Sequence, residues 1–88
     1  MEIDNGKKYE EAMSLYKAEQ FDGALSKLEI LFSQIEGNHS ELEVRALYLR
    51  GFIHYLQDRN KLAYQDYASA IDIAKEIGDD LRVSKLNN

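Results

Sequence analysis

The chain has 88 residues, a formal net charge of −5, no cysteine and no proline. That length suits one domain with a lean core, able to bury only about 60–65% of the surface its unfolded form exposes. The acidic balance argues against nucleic acid and anionic membrane surfaces, which need a basic patch larger than Lys7-Lys8 or Arg59 with Lys61. The absence of cysteine removes disulfide and thiolate chemistry.

Charged residues make up 31% of the chain, and with no proline this composition predicts helices joined by short connections. Met1 to Asn5 is acidic and polar, unlike a signal peptide, and no apolar run approaches membrane-spanning length, so the expected location is cytoplasmic. Asn5-Gly6 opens a first helix that runs to about Glu19. Phe21-Asp22 begins a second, with Ala24, Leu25, Leu28, Leu31, Phe32 and Ile35 at helical spacing until Gly37 offers a left-handed cap. Ser40 and Glu43 form a capping box for a third helix reaching about Gln57. Asn60 caps a fourth, which carries Ala63, Tyr64, Tyr67, Ala70, Ile71, Ala74 and Ile77 before Gly78 stops it. Asp79 and Asp80 then favour a new helix start through the helix dipole.

The order helix, tight turn, helix, longer turn occurs twice. Tyr9, Ala12, Met13, Tyr16 and Ala24 recur in kind at Tyr48, Gly51, Phe52, Tyr55 and Ala63, 39 residues further on. Leu81, Val83 and Leu86 match Leu42, Val44 and Leu47 at the same offset, so a third unit begins near Asp80 and stops before its small residue. Either the chain is a piece of a longer array or this stub is its cap. Ala12 and Gly51 share one place on the first helix of each unit, and Ala24 and Ala63 share one on the second. Small side chains there let paired backbones approach. A helix-interior glycine costs about 1 kcal/mol relative to alanine, so Gly51 calls for a packing reason.

These positions resemble tetratricopeptide repeats. The first unit offers Ala12, Leu15, Phe21, Ala24, Leu28 and Leu31 to the family pattern; the second offers Gly51, His54, Asn60, Ala63, Tyr67 and Ala70. The chain departs from that pattern at Lys8, where the family often has tryptophan, at Asn60 in place of a turn aromatic, in having no proline to end either second helix, and in a period longer than the usual length of about 34 residues. Other α-solenoids have periods of about 40 residues and stay open as an alternative. The expected fold is all-α, a solenoid of two helix-turn-helix repeats, about 5–38 and 42–78, with a short capping helix at about 80–88.

The resemblance implies that first helices line a concave groove. At 100° per residue, Tyr9, Met13 and Tyr16 fall on one stripe, repeated by Tyr48, Phe52 and Tyr55. Aromatic side chains supply contact area at low entropy cost, which suits peptide recognition. An aromatic stripe at helical spacing is equally the mark of a widened core, and solvent exposure of Tyr9, Tyr48 and Phe52 separates the two. Tetratricopeptide domains that grip a C-terminal carboxylate use basic and amide side chains where this chain has Tyr9, Met13 and Leu49, so an apolar or amphipathic peptide is the expected partner. Basic flanks on that partner would complement the acidic chain.

Tyr64, Tyr67 and Ile71 on the fourth helix mark a second surface, open to another copy of the chain or to a third unit. Structural self-assembly is the alternative function. No phosphate-binding glycine loop or metal-binding histidine pair is present, so neither enzymatic activity, cofactor nor metal is expected. His54 takes a place the family usually gives to tyrosine, and acidic pairs such as Glu10-Glu11 read as solvated helix faces.

Overall fold

Glu19 and Asp58 both adopt left-handed backbone conformations, with φ of 62°, and they stand at the same point of two tight turns. The computed structural model describes the backbone of residues 5–86 and the side chains of residues 5–78. The first turn joins helix α1 (Asn5–Lys17) to α2 (Phe21–Ile35), and the second joins α3 (Glu41–Leu56) to α4 (Asn60–Leu86). The Glu19 amide donates to the Tyr16 carbonyl and the Gln20 amide to that of Leu15. Thirty-nine residues on, the Asp58 amide donates to the Tyr55 carbonyl and the Arg59 amide to that of His54. This paired closure satisfies the last carbonyls of α1 and α3. It also ends α1 at Lys17, two residues before the expected boundary, because Glu19 is already left-handed.

Between α2 and α3 the chain needs a longer reversal. Gly37 supplies a φ of 88° and His39 one of 50°. The Glu43 amide donates to Ser40 Oγ at 3.2 Å, which is half of the expected capping box. The Glu43 carboxylate reaches further back than that motif requires. Its Oε2 accepts from the Gly37 amide at 3.0 Å and its Oε1 from the His39 amide at 2.8 Å. A side chain only 5% exposed thus fastens the inter-pair loop to α3, and its desolvation is offset by two charge-assisted hydrogen bonds.

All of the described elements are helical. α1 lies on α2 and α3 on α4; α3 also touches α2 and α1, while α4 makes no close backbone approach to either. The molecule measures 45 × 37 × 20 Å, and its short dimension holds two layers of helices. Ala12 and Ala24 are fully buried where α1 crosses α2, and Gly51 and Ala63 are buried where α3 crosses α4. A Cβ on Gly51 would stand 2.9 Å from Tyr67 Cε1 and 3.2 Å from Asp66 Cβ, so the close approach of the α3 backbone to α4 requires glycine there. Leu28, Leu31, Ile35 and Ile53 are the largest fully buried side chains and form the centre of one continuous core.

The C-terminal part differs from expectation. α4 continues through Gly78 to Leu86 as one helix, where the sequence suggested a stop and a separate capping helix. A glycine ends a helix by adopting positive φ, and Gly78 does not. With no proline and no left-handed residue there, hydrogen bonding continues at the modest cost of one interior glycine. The matches at Leu81, Val83 and Leu86 concern side chains outside those described, as do residues 87 and 88 altogether.

Candidate functional site

The tight turns set α1 and α3 side by side, each presenting one aromatic stripe. Tyr9, Met13 and Tyr16 on α1 are half-buried and pack against the core. Tyr48, Phe52 and Tyr55 on α3 remain 42%, 38% and 57% exposed. The stripe is therefore divided: its α1 half also belongs to the core, while its α3 half stands in solvent. The open question between groove and core has a separate answer for each helix, because α1 packs against both α2 and α3, whereas among the described residues only aromatic rings, Tyr16 on Phe52 and Tyr67 on Tyr48, reach this side of α3.

A cavity of about 360 Å³ lies between the two stripes. Its walls are Tyr9, Met13 and Tyr16 from α1, Arg45, Tyr48, Leu49 and Phe52 from α3, and Tyr67 from α4. Five of the six side chains expected there thus line one depression. The sixth, Tyr55, does not reach the wall and flanks it through Phe52, with ring centroids 6.3 Å apart. Phe52 meets Tyr16 edge-on at 5.8 Å, and Tyr48 meets Tyr67 at 5.9 Å. Such pairs fix the rings before any ligand arrives, which lowers the entropy cost of binding. A second depression of about 550 Å³ continues from Tyr9 and Met13 past Gly6, Glu10, Ser14, Lys17 and Leu42, and Arg45 borders both.

Sequence reasoning missed Arg45 and Tyr67 as wall residues. Arg45 precedes Tyr48 by three positions and so shares its face, a signal that helical spacing carried. Tyr67 belonged to the expected oligomer surface of α4. It turns instead toward Gly51 and Tyr48, since the missing side chain at Gly51 leaves room for its ring. Burial raises the Tyr67 hydroxyl above its ordinary pKa, with Tyr55, Asp66 and Tyr16 adding to the effect. Burial also raises that of Tyr9, against the opposing effect of Arg45. Both phenols therefore stay protonated and able to donate at neutral pH.

Away from the groove, beside a separate depression lined by Leu25, His54 and Arg59, Arg50 on α3 donates to both Asp66 carboxylate oxygens on α4, at 2.9 and 2.7 Å. Its guanidinium also lies 4.2 Å from the centroid of the Phe32 ring on α2. One side chain so connects three helices, by a bidentate pair and a cation–π contact. His54 Nε2 lies 3.9 Å from Asp66 Oδ2, while its buried Nδ1 has no hydrogen-bond partner. Burial lowers the His54 pKa; Asp66 opposes that shift, and Arg50 and Arg59 reinforce it. The neutral imidazole completes the packing between α3 and α4. Among the described residues no group of three His, Cys, Asp or Glu side chains could hold a metal ion, and no helix is long and apolar enough to cross a membrane.

In comparisons with known proteins, no family model, no curated protein and no solved structure matched the chain.

Proposed function

We propose that this chain is a protein-interaction module that holds an apolar or amphipathic peptide segment in the groove between α1 and α3. The observation that carries the reading is the exposure of Tyr48 and Phe52 at the edge of an apolar depression whose opposite wall, Tyr9, Met13 and Tyr16, is fixed by the core. Exposed apolar surface gathered in one concavity marks contact sites, while scattered exposed side chains do not. The reading keeps the resemblance to tetratricopeptide repeats and with it a solenoid of two stacked units in the cytoplasm. Support for duplication comes from the equivalent turns at Glu19 and Asp58 and the equivalent small residues Ala12 and Gly51.

The geometry amends one expectation about the partner. Although the whole chain is acidic, the side chains around the groove include Lys17 and Arg45 as well as Glu10. A partner needs apolar anchors more than basic flanks. The test compares capture from an extract by the parent chain and by a Tyr48→Ser, Phe52→Ser variant, followed by calorimetry with a peptide from the captured protein. The variant should keep its helical circular dichroism and lose binding at least about tenfold. Undiminished binding by a folded variant would remove the groove from the function.

A further inference from the structure

Leu25, Leu28, Phe32 and Ile35 form the stripe of α2 that α3 covers, with Leu28 fully buried, Ile35 2% exposed and Phe32 beneath Arg50 of α3. At the offset of 39 residues their counterparts on α4 are Tyr64, Tyr67, Ile71 and Ala74. Tyr67 turns toward Gly51 and Tyr48 of α3 and Ala74 packs partly against the core, but among the described residues no helix covers Tyr64 and Ile71. Tyr64 is 74% exposed and Ile71 44%, so the outer part of an apolar stripe that is core in the first helix pair is surface in the second. Gly78 extends it, giving positions 64, 67, 71, 74 and 78, whose alternating spacings of three and four match a coiled-coil seam.

Gly78 also says what kind of helix fits. Gly51 is required by Tyr67 against its α carbon, but a Cβ on Gly78 would meet nothing within 4 Å among the described residues. A helix-interior glycine with no reason inside its own chain leaves a gap on the seam. Tyr64 and Gly78 are equidistant from Ile71, so a two-fold axis beside Ile71 sets the most exposed tyrosine of each copy over the smallest residue of the other. The five seam positions carry no carboxylate in a chain of net charge −5, so the contact itself buries no acidic side chain. Head-to-tail stacking is disfavoured, because where α3 offers Leu47 to its neighbour the equivalent position on α1 is Lys8.

We infer that a second copy of this chain covers the α4 face, as a two-fold antiparallel helix pair with Ile71 near the axis and Tyr64 of each copy over Gly78 of the other. Of the seam positions Tyr67 alone also lines the groove, while Tyr64, Ile71 and Gly78 do not, so failure of the groove proposal would leave the dimer standing. Sedimentation over a range of protein concentrations should show reversible dimerisation. Gly78→Leu is the diagnostic variant: in a monomer it improves helix propensity without a clash, whereas in the dimer it collides with the other copy's Tyr64. It should keep or raise helical circular dichroism while weakening dimerisation about tenfold or more, and Tyr64→Ala combined with it should restore part of the loss. Because the chain has no cysteine, Ile71→Cys should form a disulfide-linked dimer under mild oxidation and Gln65→Cys should not. A monomer at every concentration overturns the inference, including one in which residues 79–88 fold back to protect Tyr64. So does a dimer unaffected by Gly78→Leu.

Discussion

Glu19 and Asp58 hold a side chain in a backbone region where Cβ crowds the neighbouring carbonyl. Each is exposed, and each occupies the position at which helices most often carry glycine. Replacing either by glycine should raise unfolding free energy by up to about 1 kcal/mol, relief of strain outweighing the greater entropy of the unfolded chain. Urea denaturation of the two single variants measures this, and similar gains at both sites would show the turns to be energetically equivalent. His54 gives a pH dependence of definite sign. Burial lowers its pKa in the fold, so the unfolded chain binds more protons between that lowered value and the ordinary one of about 6.5. The contribution is fully present above the ordinary value, declines as pH falls through it, and stops declining below the lowered value. His54→Gln should flatten this part of the stability profile, measured as urea midpoints between neutral and mildly acidic pH.

At the scale of elements, the loop between α2 and α3 depends on one carboxylate. Glu43→Ala leaves the Gly37 and His39 amides without their acceptor and should cost about 2 kcal/mol, the usual worth of hydrogen bonds to a charged group. Faster amide exchange at those two residues, with that at α1 unchanged, would localise the loss to the loop. This clasp shows where sequence reading was sufficient and where it was not. Ser40 and Glu43 announced a helix start by their spacing alone, because a capping hydrogen bond spans three residues of one chain. The reach of Glu43 to Gly37 and His39 depended on the path of the loop, which two left-handed residues set. The four helix bodies were legible for the same local reason, through small residues, apolar spacing and Gly37. The stop expected at Gly78 was not met, since glycine permits a helix end without enforcing one.

The whole molecule is a series of helix neighbours, in which α3 alone touches all the others. The first pair exposes Leu28, Phe32 and Ile35 when α3 is removed. A fragment of residues 1–38 should therefore show little helix by circular dichroism, although both its helices and its turn are intact in sequence. A stably helical fragment would mean that α1 and α2 close their core without α3. The same dependence explains the divided aromatic stripe. Tyr9, Met13 and Tyr16 have neighbours on both sides, whereas Tyr48, Phe52 and Tyr55 lie where neighbours end. By itself the sequence determined the four helix bodies as far as Gly78, their tight turns and the correspondence of the small residues and turns 39 residues apart, because these rest on hydrogen bonds and spacings within a few turns of one chain. Tertiary structure alone decided that equivalent residues have unequal surroundings: Leu25 beside α3 and Tyr64 in solvent, Tyr16 against the core and Tyr55 outside it. Burial is a property of what lies across a helix, and a repeated sequence does not repeat its neighbours.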